Sequence, residues 1–224
     1  MSKEFFVTLP PVTPNFRRIM KIFAVGMNYA EHNKELDGAL YKTEAPVIFT
    51  KPDSSLLKTG KPFFVPDHLG RIDYEAEVVV RICRLGKTIP ERFAHRYYDA
   101  VTLGIDFTAR EVQQQARKAG HPWTLCKGFD GAAAIGEWVP KEKFLDVQSM
   151  RFHLDKNGAT VQQGFTGDML YRIDELISYL SQYFTLKTGD LLYTGTPVGV
   201  GPVAVGDLLE GWLEELKVLE LNVR

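Results

Sequence analysis

The nine residues IDYEAEVVV, Ile72 to Val80, constrain the fold more than any other stretch of the chain. They set Asp73, Glu75 and Glu77 at alternate positions in a segment otherwise built of strand-forming apolar residues. Side chains two apart on a strand share a face. Tyr74, Ala76, Val78 and Val80 are therefore expected on one apolar face and the three acids on the other. Adjacent like charges repel, and a carboxylate removed from water without a partner costs several kcal/mol. Either this face stays in water, as an edge strand blunted by charge, or the fold brings a cation to it.

Length makes burial feasible. A chain of 224 residues suits one large domain and buries roughly 70% of the surface its unfolded form exposes. With 45% hydrophobic and 25% charged residues and a net charge of −1, it lacks the basic excess that nucleic acid or an anionic membrane surface would call for. Cys83 and Cys126 form no CxxC pair, which argues against a disulfide framework and a thiolate zinc site. No apolar run reaches the length of about 18 residues expected of a membrane span, and no signal-peptide core is evident. The expected compartment is the cytoplasm.

Along the chain, residues 1–19 carry three prolines and no useful periodicity, and read as an extension ahead of a catalytic domain over residues 20–224. A strand is expected over residues 21–26, helical character over 29–36, and a short apolar run over 47–50 stopped by Pro52. Residues 100–107 form a further strand candidate. Thr108 and Glu111 then stand in capping-box register ahead of a helix that Gly120 ends. Residues 171–183 place Ile173, Leu176, Ile177 and Leu180 at helical spacing. Short strands dominate the last forty residues. Many short strands with few short helices indicate a β-rich α+β fold rather than a doubly wound sheet.

Four features carry chemistry. Asp106, at the end of its strand, joins Glu75 and Glu77 as a third hard oxygen ligand, a set suited to Mg²⁺, Mn²⁺ or Ca²⁺ rather than zinc. In NYAEHNKEL, His32 and Glu35 share a helix face, which suits an imidazole that takes a proton and a carboxylate that orients it; an ordinary polar helix surface has the same spacing. YTGTPVGVG, Tyr193 to Gly201, is neither a phosphate-binding loop nor a dinucleotide fingerprint, but its glycines and threonines suit a carboxylate or enolate oxygen. Lys127 gains meaning only if it falls in the same cleft.

Eight words in order, GMNYAEHNKE, FTKPDSSL, DYEAEVVV, GIDFTAREVQ, WTLCKGFDG, NGATVQQGFTGDM, LISYLSQYFTLKTGD and YTGTPVGVGPV, resemble the fumarylacetoacetate hydrolase family, and most closely its short single-domain members that act on acylpyruvates and oxaloacetate. The resemblance implies a mixed β-roll, a homodimer, and Mg²⁺ or Mn²⁺ (or Ca²⁺ in its place) on Glu75, Glu77 and Asp106. It implies a His32–Glu35 dyad on a mobile lid over residues 31–42. Lys127 matches a catalytic and substrate-contact position, and Arg110, Gln113, Gln162 and Thr196 match substrate contacts. Met27 stands where some relatives carry a basic residue, and Asp73 is outside the family's ligand set, which makes it an outer or surface acid. The implied reaction is hydrolytic C–C cleavage of an acylpyruvate-type β-diketo acid, or decarboxylation of oxaloacetate, through an enolate. Tautomerisation of a 2-oxo acid at the same site is the alternative. A carboxylate-site nuclease would need a basic excess this chain lacks, and a non-catalytic calcium-stabilised module would leave the His32–Glu35 pair and the glycine-rich loop without a role.

Overall fold

The computed structural model describes residues 20–37 and 43–224. The expected extension over residues 1–19 lies outside the described residues, as do residues 38–42 of the expected lid. In chain order the first strands are β1 (Ile22–Gly26), β2 (Val47–Lys51), β3 (Leu56–Leu57), β4 (Ile72–Tyr74) and β5 (Ala76–Ile82). Next come β6 (Tyr98–Asp106), β7 (Thr108–Ala109), β8 (Ala133–Ile135), β9 (Val139–Pro140), β10 (Arg151–Lys156) and β11 (Ala159–Phe165). The last are β12 (Leu191–Tyr193), β13 (Gly201–Pro202), β14 (Leu208–Leu213) and β15 (Leu216–Asn222). The helices are α1 (Ala30–Asp37), α2 (Glu91–Ala94), α3 (Arg110–Ala119), α4 (Thr124–Lys127) and α5 (Ile173–Tyr183). No helix among the described residues is long and apolar enough to cross a membrane.

The strands form a mixed, strand-rich α+β fold. The main sheet runs β2-β1-β12-β5-β6-β8-β3, with β9 also on β6. β1 pairs in parallel with β12, and β3 with β8, while the other ladders are antiparallel. A second sheet runs β11-β10-β14-β15 and a third, smaller one β13-β4-β7.

The acidic stretch does not form one strand. It breaks at Glu75, so that β4 belongs to the small sheet and β5 to the centre of the main sheet, between β12 and β6. That position excludes a water-facing edge. β4–β7 and β5–β6 nevertheless share one continuous register, in which Asp73 pairs with Thr108 and Glu77 with Gly104. Glu75 therefore stands opposite Asp106, whose N–H donates to the Glu75 carbonyl at 2.8 Å. Glycine is required opposite Glu77: a Cβ on Gly104 would fall 2.6 Å from the Ala134 carbonyl. The strand's second face is also dry, with Ala76, Val78, Val80 and Ile82 in the main core, and on the acids' own side Val79 continues into a cluster with Ile22, Ala24, Ala133, Leu191 and Tyr193.

Two helices show how local signals fared. In α5, Ile173, Leu176, Ile177 and Leu180 are all buried, each contributing about 1.5–3 kcal/mol by removal from water. Its first turn is satisfied by Gln148 Oε1, which accepts from Ile173 N–H at 3.1 Å, and by Glu175 Oε2, which accepts from Arg172 N–H at 2.8 Å. In α3 the expected capping box does not form. Thr108 is drawn into β7, its hydroxyl donates to the Asp106 carbonyl, and the helix starts at Arg110 with no side-chain cap. Gly120 ends it in the left-handed conformation, φ +68°, as expected of a glycine there.

Asn28, just beyond β1, ties three distant segments together. Its Nδ2 donates to the Thr194 and Tyr171 carbonyls at 2.7 and 3.0 Å, and its Oδ1 accepts from Tyr171 N–H at 2.7 Å. Removing the amide strands buried partners, each costing about 1–3 kcal/mol. Asn28→Ala should therefore lower the melting temperature by roughly 5–10 °C, at about 2–4 °C per kcal/mol for a chain of this size. A melting curve within a degree of wild type would show that the cross-link is replaceable.

Candidate active site

Glu75, Glu77 and Asp106 converge as the strand geometry requires. Glu75 and Glu77 lie on one side of the strand and Asp106 faces Glu75, and one oxygen from each falls within 4.8 Å of the others. All three are buried. Each is met by a cation or a backbone donor from a different part of the chain.

Lys127, at the end of α4, spends its three donors on Glu75 Oε2 at 2.6 Å, Asp106 Oδ2 at 2.7 Å and Thr108 Oγ1 at 2.6 Å. Lys51, the last residue of β2, reaches Asp106 Oδ1 at 2.5 Å; it also donates to the Ala132 carbonyl at 3.0 Å and to that of Lys127. Arg110 donates from Nη2 to Glu75 Oε1 at 2.7 Å, from Nε to Asp73 Oδ2 at 2.7 Å and from Nη1 to Gln113 Oε1 at 2.5 Å. Glu77 Oε2 accepts from Gly195 N–H at 2.7 Å. Gly195 sits at φ +98°, and a Cβ there would meet Asn28 Cβ at 2.7 Å, so the donor depends on glycine.

Asp73 corrects the expectation of an outer acid. It is 1% exposed and clamped between Arg110 and Arg71, the latter at 2.6 Å. Because the strand breaks at Glu75, Asp73 sits in the small sheet beside α3 and holds the guanidinium that holds Glu75. Lys51 and Asp73 both escaped sequence reasoning. The signal for Lys51 was a charge at the end of an apolar strand, VIFTK, the same anomaly that drew attention to the acids.

The remaining expected residues fall as follows. His32, buried in the first turn of α1, lines the cavity with Glu75, Glu77, Asp106, Gln113 and Lys127; Thr196 borders it as well. Gln162 lies behind Thr196. Its Nε2 donates to Thr196 Oγ1 at 2.9 Å and the Pro197 carbonyl at 3.0 Å, and its Oε1 accepts from Ala76 N–H at 2.9 Å, so it braces the loop. The side chain of Glu35 lies outside the described residues. Around the mouth stand Met27, Phe49, Trp123 and Arg117. Trp123 packs edge-on to Phe49, with centroids 5.5 Å apart, and a Cβ on Gly26 would lie 3.1 Å from its ring.

The electrostatics divide the acids. Burial pushes Glu75 up, but Lys127 and Arg110 outweigh it and hold the carboxyl below its ordinary range. Glu77 is pushed well up, first by burial and then by Asp106 and Glu75, against the opposing pull of Lys127. Burial lowers Lys51 despite Asp106. Lys127 is raised, because Asp106 and Glu75 overcome its burial. An all-oxygen donor set and a Glu77 carboxyl pushed up by burial and by its acidic neighbours together fit a hard dication.

These shifts set the pH dependence of the metal-free protein. A carboxyl raised on folding binds its proton more tightly in the native state, so stability falls as pH rises from the unfolded value of about 4.3 through the raised one. Glu75, lowered on folding, acts in the opposite sense and loses its contribution as pH falls. Glu77→Gln should therefore raise the melting temperature at pH 8 in EDTA by roughly 2–4 °C per kcal/mol relieved. The gain should vanish towards pH 4. Equal melting temperatures across that range would mean that Glu77 is not strained by its neighbours.

Comparison with known proteins shows the family. Residues 21–224 match the family model for the fumarylacetoacetate (FAA) hydrolase C-terminal domain. The mitochondrial oxaloacetate tautomerase of Mus musculus is 37% identical over 203 residues, which cover 91% of each chain. The crystal structure of fumarylpyruvate hydrolase from Pseudomonas aeruginosa, in complex with Mn²⁺ and pyruvate, matches with a TM-score of 0.86 at 32% identity, covering 92% of this chain and 89% of that one. The 5-carboxymethyl-2-hydroxymuconate delta-isomerase of Mycobacterium smegmatis matches with a TM-score of 0.80 at 33% identity, covering 92% of this chain and 78% of that one. The chain belongs to the fumarylacetoacetate hydrolase family.

Proposed function

We propose that this chain is a dication-dependent enzyme that interconverts the keto and enol forms of a small 2-oxo acid, with oxaloacetate as its substrate. The observation that carries this reading is the compact arrangement of three carboxylates, Lys127 and His32 around one cavity. Its buried end is lined by charged and polar groups, which favours the chelating acid end of a small 2-oxo acid over an apolar group. The relatedness to oxaloacetate tautomerases supports it.

A bound Mg²⁺ or Mn²⁺, held by Glu75, Glu77 and Asp106, would supply Lewis-acid polarisation of the substrate's 2-oxo group. The chain's own residues do the rest. The His32 imidazole takes the proton from C3 of the keto acid and, as imidazolium, gives it up to the enolate oxygen; the reverse reaction returns the proton to C3. Lys127, held protonated by Asp106 and Glu75, offers N–H donors to the developing oxyanion. Gln113, kept in place by Arg110, and Thr196, braced by Gln162, orient the acid end.

Hydrolysis of an acylpyruvate is the second reading. It is favoured by the burial of His32 against the same cavity, where the imidazole would take a proton from water instead of carbon. Glu35 is proposed to orient it in either case. Decarboxylation of oxaloacetate uses the same enolate without an attacking water.

Purified protein with Mg²⁺ or Mn²⁺ should accelerate the decay of enol-oxaloacetate absorbance, and excess EDTA should abolish the effect. His32→Ala should reduce kcat by about 10²–10⁴, the usual scale for a lost general base, while Mn²⁺ still binds. Enol decay no faster than the uncatalysed rate, together with release of pyruvate from acetylpyruvate, would replace the first reading with the second. Full activity in EDTA would overturn both.

A further inference from the structure

We infer that Arg117 recognises a second carboxylate on the substrate and makes the site selective for 2-oxo dicarboxylates over 2-oxo monocarboxylates. The inference rests on the 2-oxo-acid site proposed above and adds its charge selectivity.

Helix α3 carries Arg110, Gln113 and Arg117 at i, i+3 and i+7, along one stripe. The first two are buried, and Arg110 donates to Gln113 and to the acids Glu75 and Asp73. Arg117 lies one helical turn beyond Gln113, about 6 Å along the axis, is exposed, and borders the same cavity. The acids and Lys127 are buried at the inner end of the cavity and Arg117 is exposed, so a ligand held by its chelating end places whatever follows the 2-oxo group at the mouth. There the wall is apolar on the side of Met27, Phe49 and Trp123 and cationic at Arg117.

Charge counting points the same way. The buried acids Asp73, Glu75, Glu77 and Asp106 are matched in number by Arg71, Arg110, Lys51 and Lys127. A dication and Arg117 then leave the site with excess positive charge. A 2-oxo dicarboxylate offsets one more of these charges than a monocarboxylate does. A guanidinium is also the side chain whose planar fork fits a carboxylate with two parallel hydrogen bonds. Because Trp123 and Phe49 are packed edge to face, the apolar side of the mouth is held in place, and a distal carboxylate is directed towards Arg117.

The test compares two ligands of equal carbon count on the Mn²⁺-loaded protein. One is 3,3-difluoro-oxaloacetate, which has no C3 proton to lose, and the other is 2-oxobutyrate, which lacks the distal carboxylate. Binding is read from tryptophan fluorescence, which Trp123 at the mouth reports. Arg117→Gln should weaken the dicarboxylate by about 5–20-fold, the range for a charge-assisted contact near solvent, and leave 2-oxobutyrate within about twofold. Arg117→Lys should recover part of the loss. The wild-type preference should shrink as salt rises, because the contact is exposed. With oxaloacetate as substrate, KM should rise in Arg117→Gln and kcat should change little.

Equal weakening of both ligands, or an unchanged dicarboxylate affinity in a variant that melts like wild type, overturns the inference. If the wild type fails to interconvert enol-oxaloacetate but loses its dicarboxylate preference in Arg117→Gln, the proposed reaction falls and the charge selectivity stands. If the wild type turns over oxaloacetate and the variant keeps its preference, the reaction stands and the role of Arg117 falls.

Discussion

Glu75 faces Asp106 across a register that runs unbroken through a kink, and the rest of the site follows from two buried carboxylates meeting there. An unpaired buried charge costs several kcal/mol, against a total stability of about 5–15 kcal/mol for a typical domain. Four such acids could not be carried without matching cations. The chain supplies them from separate elements: Lys51 from β2, Lys127 from α4, Arg110 from α3 and Arg71 from the approach to β4. The ionic network therefore also fixes how those elements sit around the central strands. Site and fold share one electrostatic constraint.

The acids were legible because they break a pattern. Three carboxylates in a strand of valines conflict with burial, and period two alone puts Glu75 and Glu77 on one side. Helix α5 was legible for the opposite reason, since its apolar spacing and its burial agree. The end of α3 at Gly120 followed from the same local chemistry. What escaped were residues whose role depends on partners far along the chain. Lys51 reads as an ordinary strand end until α4 and Asp106 are brought to it. Asp73 reads as one more acid until the break at Glu75 turns it towards α3. Thr108 and Glu111 show the converse: a capping box of correct spacing fails because Lys127 and the strand pairing claim the threonine first.

Relatives of this chain include an oxaloacetate tautomerase, a fumarylpyruvate hydrolase and a delta-isomerase, and the proposed geometry offers a reason why one scaffold could serve several reactions. On that reading the acid end of the ligand would meet the same carboxylates and the same lysine whatever bond changes next. Differences between members would then arise at the mouth and at the proposed proton carrier, where Met27, Arg117, Trp123 and His32 stand. In this chain a left-handed Met27, φ +64°, occupies the turn between β1 and α1. Its conformation ties the end of the strand to the start of the helix that carries His32.

The ammonium of Lys127 lies between Glu75 and Asp106, close to where a dication would be drawn. A protein that brings its own counter-ion can complete its fold before meeting any metal, unlike small metal-dependent domains whose folding free energy is their binding free energy. With a dication held as proposed, loading would be an ion exchange on a finished molecule, in which the ammonium turns from the carboxylates towards the ligand. Such a site would tolerate intervals without metal, losing turnover and keeping the folded protein.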